Sequence, residues 1–446
     1  MRGFRSTLIL LAVLLGLLGY IYFYEMKRPG PSQEAPKQKV FTVEADAINE
    51  LEVTSSAGER SVLRKTGTAW SLVEPLQTRA DEAEATGIVT NLASLEIQRV
   101  VDEAPGDLAP FGLAKPKTAV AFKAAGQKDQ RRLLIGDKTA TGGELYAKLP
   151  SEKRVFLVSA FLETTFNRRP FDLRDKTVLA FERDKVDGVQ VAASGGPALA
   201  FAKKDAQWQI TSPLAARADL TSVEGLVGRL QTLQMKSIVA ADVADKDLGK
   251  YGLDKPAYTA TVTVGSAKAS LAIGKADPAG DLYARDLARP AAVVTVEAAL
   301  ADDLKKPADT YRPKEIFEFR SFSATRLEIT RGTLTVSFEQ VKGKDGTTKW
   351  QRLNPNKDVA VPDMDAVLNS LAGMMLDQWV DAKTRTGLDA PVAVITAKFD
   401  DGKKTERLKF GKVGADMFAA RDGEPGAFKI DAARFDESMK LVDTVK

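Results

Sequence analysis

The chain contains no cysteine and no histidine among its 446 residues. Without cysteine there is no disulfide, no thiolate nucleophile and no thiolate metal site. Without histidine there is no Ser-His-Asp triad, no imidazole zinc site and no His-Glu-x-x-His motif. Charge of one sign is scarce as well: 64 Lys and Arg oppose 60 Asp and Glu, a net +4 carried by mixed-sign sequence with no basic stripe. Phosphate backbones need such a stripe, so no nucleic acid partner is expected. Glycine-rich stretches such as Thr141-Gly142-Gly143 lack the Gly-Lys-Ser/Thr that completes a phosphate loop, and there is no EF-hand loop. Carboxylate-only catalysis stays open on the glycosidase pattern, but no acid pair stands out among the 60. No catalytic residue, cofactor or metal site is therefore assigned, and the chain is not expected to be an enzyme.

What is present begins with one long apolar run. Leu8 to Tyr24 holds 17 residues without a charge, the short end of the roughly 17–25 that cross a bilayer. Arg2 and Arg5 precede it, and Tyr20, Tyr22, Phe23 and Tyr24 form an aromatic belt at its far end. It closes on aromatics and Glu25-Met26-Lys27-Arg28 instead of the small residues of a cleavage site, which reads as an uncleaved signal anchor. The positive-inside rule leaves the N-terminus in the cytoplasm and exports the body. Gly16 and Gly19 would let a second membrane helix approach closely. Residues 1–28 are thus expected to be a cytoplasmic tip and membrane helix, and residues 29–38, with Pro29, Pro31 and Pro36, a semi-extended linker.

The rest of the chain repeats itself. Trp70-x-x-x-x-Pro75 recurs as Trp208 to Pro213 and Trp350 to Pro355, at spacings of 138 and 142 residues. Each is followed by an Asp that reads as a helix N-cap: Asp81, Asp219 and Asp363. Matching apolar faces come next: Ile88, Leu92, Leu95; Val223, Val227, Leu230; Met364, Leu368, Leu371. Then Phe111-Gly112-Leu113-x-x-Pro116 matches Tyr251-Gly252-Leu253-x-x-Pro256, while the third copy keeps Gly387-Leu388 and Pro391. Gly136, Gly274 and Gly411 follow, then Tyr146-Ala147-Lys148, Tyr283-Ala284-Arg285 and Phe418-Ala419. Alternating runs such as Ile48–Val53, Thr118–Phe122 and Tyr258–Val264 read as strands around one helix. The expected fold is α+β: three tandem modules of mainly antiparallel sheet with one or two helices each, at 39–181, 182–319 and 320–446 (diverged).

Repetition argues that these residues are a fold signature. A Trp ending a strand before a proline turn seals a core, with its N–H on a carbonyl. The segments Asp172-x-Arg174-x-Lys176 and Asp309-x-x-Arg312-x-Lys314 sit where one copy hands over to the next. They read as joints, with Arg fixed against carboxylates and loop carbonyls, in preference to an acid/base pair. Trp379 and Met374-Met375 continue the third helix's apolar stripe and are expected in the core.

In order and repetition these motifs resemble the domain-of-unknown-function 4340 family of membrane-anchored bacterial envelope proteins. The resemblance implies no catalytic residues. It implies modules in the periplasm, behind a single-pass helix in the inner membrane, and association with ABC transporters of the gliding-motility type, whose permease and ATPase subunits are the expected partners. The leading expectation is a non-enzymatic accessory or scaffold subunit of such a transport system. The alternatives are a periplasmic carrier binding lipid or polymer and, behind it, a carboxylate-dependent envelope hydrolase.

Overall fold

The computed structural model describes residues 38–445 except 128, 291 and 343–347, together with Leu14, Gly16, Tyr20 and Tyr22. The proposed membrane helix at 8–24 lies mostly outside the described residues, Gly19 included. Among those described, no helix is long and apolar enough to cross a membrane.

The first module shows how sequence becomes fold. Its elements are β1 (Ile48–Thr54), β2 (Arg60–Thr66), β3 (Ala69–Glu74), β4 (Thr78–Arg79), α1 (Glu82–Ala93), β5 (Arg99–Asp102), β6 (Thr118–Ala124), β7 (Arg131–Lys138), β8 (Glu144–Lys148), β9 (Val155–Ser159) and α2 (Leu162–Phe166). They make one nine-stranded antiparallel sheet in the order β4-β3-β2-β1-β6-β7-β8-β9-β5. Two four-stranded meanders meet at the β1–β6 pair, and the strand after the helix closes the far edge. Alternation divides the faces: Ile48, Leu51 and Val53 of β1 are buried. Glu50 and Glu52 point to the other face, where Arg64 lies 3.1 Å from Glu50 and Arg132 lies 2.8 Å from Glu52. Ala85, Ile88, Val89 and Leu92 of α1 pack on the apolar side in one core with Trp70 and Phe122. Burial of Ile88, Val89 and Leu92 contributes roughly 1.5–3 kcal/mol each.

The same order is built twice more. The second module has β10 (Gly188–Ala193), β11 (Leu199–Lys204), β12 (Gln207–Ser212), β13 (Ala216–Arg217), α3 (Leu220–Gln231), β14 (Ser237–Ala240), β15 (Tyr258–Val264), β16 (Ala267–Ala276), β17 (Leu282–Asp286), β18 (Val293–Val296) and α4 (Ala299–Leu304). The third has β19 (Ala324–Arg331), β20 (Leu334–Lys342), β21 (Thr348–Leu353), β22 (Lys357–Val359), α5 (Val361–Ala372), β23 (Leu376–Val380), β24 (Ala393–Phe399), β25 (Lys404–Val413), β26 (Asp416–Arg421), β27 (Ala427–Ile430) and α6 (Ala432–Thr444). Their strand orders are β13-β12-β11-β10-β15-β16-β17-β18-β14 and β22-β21-β20-β19-β24-β25-β26-β27-β23. Three antiparallel nine-stranded sheets with few helices fit three α+β modules.

The structure moves the module edges. The chain divides into two compact units between Lys176 and Thr177, and the second unit holds both later sheets. Each module opens with a short lead-in segment laid beside the residues that follow its main helix. Val40 N–H donates to Leu95 O at 2.8 Å, Val178 N–H to Leu233 O at 3.2 Å, and Ile316 N–H to Met374 O at 3.2 Å. Residues 177–181 and 315–319 therefore lead into the second and third modules, earlier than the sequence boundaries at 182 and 320; Ile316, Phe317 and Phe319 lie in the third core.

Candidate functional site

The repeated residues build each module from within. Trp70, Trp208 and Trp350 are 2%, 2% and 4% exposed, as a core seal requires. The expected carbonyl is not the partner of Trp208: its Nε1–H donates to Glu224 Oε1 at 2.9 Å, while Lys203 Nζ sits 4.7 Å from the ring centre. Burial raises the Glu224 pKa, but bonds from Trp208 and Lys203 and the charges of Lys203 and Arg183 outweigh it and hold the carboxyl below its usual range. Pro75, Pro213 and Pro355 each follow a cis peptide bond in the turn after the Trp strand.

Asp81 caps α1, accepting from Ala83 N and Glu84 N at 3.1 Å, and Asp219 caps α3 through Ser222 N at 2.8 Å. Asp363 does not cap its helix. Helix α5 starts at Val361 behind Ala360, and Asp363 falls inside the first turn after Pro362. Proline suits that position because its missing N–H belongs to the unpaired first turn.

Gly112, Gly252 and Gly387 have φ of 68°, 67° and 70°, the left-handed region that side chains avoid. Each lies against the strand carrying the second glycine. A Cβ at Gly136, Gly274 or Gly411 would strike the carbonyl oxygen of Phe111, Tyr251 or Thr386 respectively. Leu113 and Leu253 are buried and Leu388 half-buried beside this contact, and Pro116, Pro256 and Pro391 sit two residues before β6, β15 and β24. Tyr146 stacks edge-on against Phe111 at 5.1 Å, and Tyr283 against Tyr251 at 5.0 Å. The third module has Thr386 in place of the first ring and buries Phe418 in place of the tyrosine.

The handover segments dock on the caps. In the first unit Asp81 N–H donates to Leu173 O at 2.9 Å, Arg174 bridges to Ala80, and Lys176 Nζ lies 3.3 Å from Asp81 Oδ2. Asp172 closes its own turn, accepting from Arg169 N at 2.9 Å. In the second unit Asp219 N–H donates to Tyr311 O at 2.7 Å, and Lys314 O accepts from Leu376 N at 2.9 Å.

Arg312 makes the strongest use of its place. Its guanidinium lies 3.1 Å from the Trp379 ring centre, Nη2 donates to Pro425 O at 2.9 Å, and Nη1 reaches Asp309 at 3.4 Å. Glu424 sits 3.7 Å from Arg312 and 2.5 Å from Arg217, while Arg421 pairs with Glu406 at 2.6 Å. Burial pushes both Arg312 and Arg421 below the usual arginine range, against the pull of the nearby carboxylates. Glu424 thus ties Arg217 and Arg312 to the third module, beside that module's own Arg421–Glu406 pair. Repetition gave no sign of Glu406, Glu424 or Arg421, because none of them recurs. Met374 joins the core and Trp379, half-buried under Arg312, packs against it as expected, whereas Met375 is 50% exposed.

A crevice of about 310 Å³ opens at this joint, lined by Trp208, Arg217, Asp219, Leu220, Glu315 and Phe317 among others. Arg217 is paired with Glu424, and Asp219 is occupied as a helix cap. Among the described residues no group of three or more acids is placed to hold a metal.

A family model described as "Domain of unknown function (DUF4340)" matches residues 70–209 and 208–391. No curated protein matches the chain. Among solved structures, the crystal structure of the DNA polymerase sliding clamp from Pseudomonas aeruginosa aligns over 88% of this chain and 93% of that chain, at 9% identity and a TM-score of 0.17. A likeness that slight carries no argument.

Proposed function

The chain belongs to the DUF4340 family, and from that premise we propose that it is a non-enzymatic binding and scaffold subunit, anchored in the bacterial inner membrane by residues 8–24, with its modules in the periplasm beside an ABC-type transporter. The observation that carries this reading is the fate of the repeated residues. The tryptophans, the glycine pairs and two of the three aspartates are consumed in cores, caps and turns, and the buried charges at the second joint neutralise one another. What is left to act on is outer surface and crevices, the equipment of a protein that holds other molecules in place. The transporter itself rests on the family's habit, and the anchor on the flanks of the apolar run.

The test is capture of the full-length protein from gently solubilised membranes, beside a form lacking residues 1–28, with bound proteins identified by mass spectrometry. A permease and ATPase recovered with the full-length form support the proposal. Their loss on truncation assigns the contact to the anchor, and their retention assigns it to the modules. Recovery of the protein alone, where a control transporter complex survives, overturns it. A lipid or polymer carrier is then the reading to assay, with the joint crevice as its first candidate cargo site.

A further inference from the structure

The three modules differ at one crevice, between the lead-in segment, the β7-type strand and the turn after the β8-type strand. Strand register defines its equivalent positions. Arg131, Ala269 and Glu406 pair with Phe122, Val262 and Ala397, and they stand four residues before the residue preceding the repeated Ile-Gly or Phe-Gly glycine. Asp286 and Arg421 end the next strand, opposite Leu271 and Leu408, and Leu149 stands at the matching position, one residue past β8. Val40, Val178 and Ile316 are equivalent in the lead-in segment through their bonds to Leu95, Leu233 and Met374.

Two modules place an arginine and a carboxylate of their own at this position. In the second, Arg289 pairs with Asp286 at 2.8 Å and donates to Val178 O at 2.8 Å. In the third, Arg421 pairs with Glu406 at 2.6 Å and donates to Ile316 O at 2.6 Å. The Glu406 carboxylate also accepts from the backbone N–H groups of Glu318, at 2.9 Å, and Phe319, at 2.9 Å. It is an anion seated on two amides and one guanidinium.

The first module supplies the arginine without the anion. Arg131 stands where Glu406 does, and Leu149 where Arg421 does. Arg131 donates to Thr42 O at 3.1 Å, and no described carboxylate pairs with it; the neighbouring Arg132 is already neutralised by Glu52 at 2.8 Å. Thr42 and Val43 correspond to Glu318 and Phe319, and no described group accepts from their N–H groups. In place of the internal pair lies an open crevice of about 520 Å³, walled by Val40, Phe41, Thr42, Arg131, Pro150 and Ser151 among others.

We infer that this crevice of the first module binds an acidic side chain of a partner protein, a glutamate or aspartate flanked by apolar residues. The carboxylate sits on Arg131 and the Thr42 and Val43 amides, as Glu406 sits on Arg421 and the equivalent amides. The flanking residues lie on Val40 and Pro150. Commitment to a carboxylate follows from the two internal precedents. The space, larger than one carboxylate needs, favours a peptide over a small ion. The inference deepens the binding-subunit reading and rests on it only in taking the occupant to be a protein.

The experiment uses the full chain in detergent and the peptide acetyl-Leu-Glu-Val-amide, with its Gln counterpart and inorganic phosphate as comparators, read by calorimetric titration. Expected is weak binding of the Glu peptide, at least about tenfold tighter than the Gln peptide, since a hydrogen bond to a charged group is stronger than one to a neutral amide. Arg131→Gln removes that preference while its melting temperature stays at the wild-type value. The double variant Arg131→Glu/Leu149→Arg rebuilds the third module's internal pair and loses the peptide entirely. Equal binding of the Glu and Gln peptides, no binding at millimolar peptide, phosphate binding as tightly as the Glu peptide, or a folded Arg131→Gln that keeps the preference would each overturn the inference. The comparators act on the wild-type chain, so a misfolded variant leaves the test intact. None of these outcomes depends on membrane capture, so failure here and failure of the transporter reading are told apart.

Discussion

Two sets of ion pairs in this molecule look alike on a contact map and differ in what surrounds them. On the outer face of the first sheet, Glu50 and Glu52 are crossed by Arg64, Arg132, Lys123 and Arg60, whose side chains are 39–61% exposed. At the joint of the second and third modules, Arg312, Arg421 and Glu406 are 3%, 7% and 2% exposed. Water screens the first set, and each pair there contributes at most about 1 kcal/mol. In the second set the charges have left water and depend on one another. The pairs add little net stability, but removing one partner strands the rest at a cost of about 3–5 kcal/mol. The ladder keeps a sheet face soluble; the cluster fixes a joint.

That contrast is sharpened first at Arg312. Arg312→Ala strips the cation from Trp379 and leaves Glu424 with less charge around it, so chemical denaturation should show a loss of about 3–5 kcal/mol. A loss below 1 kcal/mol would put the joint in the same class as the ladder. The next largest effect is expected in the alkaline range. Burial, with the nearby Asp303 charge, pushes the Tyr311 hydroxyl up to about 12 from 10.0. A raised pKa keeps its full stability below the unfolded value and loses it as pH rises from about 10 to 12, here on the order of 2 kcal/mol. Tyr311→Phe should flatten that part of the stability–pH curve; an unchanged slope would contradict the assignment.

Gly274→Ala drives a methyl into the Tyr251 carbonyl and should cost roughly 1–3 kcal/mol, whereas Gly225→Ala, in open space on α3, should stabilise by about 0.5–1 kcal/mol. Melting curves of the two variants moving the same way would remove the close-approach account. Smaller still, Asp219→Ala should cost about 0.5–2 kcal/mol as a lost cap, and Asp363→Ala less than about 0.5 kcal/mol because it caps nothing. Equal losses would restore the third aspartate to the role that its sequence position suggested.

Acid behaviour follows from the same carboxylates. Burial works against the Glu52 carboxylate, but Arg60, Gln130 and Arg132 hold it below the usual glutamate range. A lowered pKa contributes stability above the unfolded value and loses it as pH falls through the folded one, so acid should release the ladder.

Much of the fold was legible because repetition exposes what backbone geometry demands. Order and spacing alone located the Trp strand, the helix with its apolar face and the two glycines that touch across a strand. Asp363 misled because a proline in the next-door position let the helix begin earlier without a cap. The conspicuous Phe181 and Phe319 look like the end of one unit in the sequence, while they belong to the lead-in of the next. The joint cluster stayed hidden because its acids, Glu406 and Glu424, occur once. So did the first module's crevice, which becomes visible only when Arg131, Ala269 and Glu406 are superposed by strand register.

Mutually dependent charges that have left water lock the second joint. Two double-mutant cycles measured by chemical denaturation decide it, Arg217→Ala with Glu424→Ala at the joint and Arg64→Ala with Glu50→Ala on the first sheet. A coupling above about 1.5 kcal/mol is expected for the joint and below about 0.5 kcal/mol for the ladder. Couplings of equal size would contradict it.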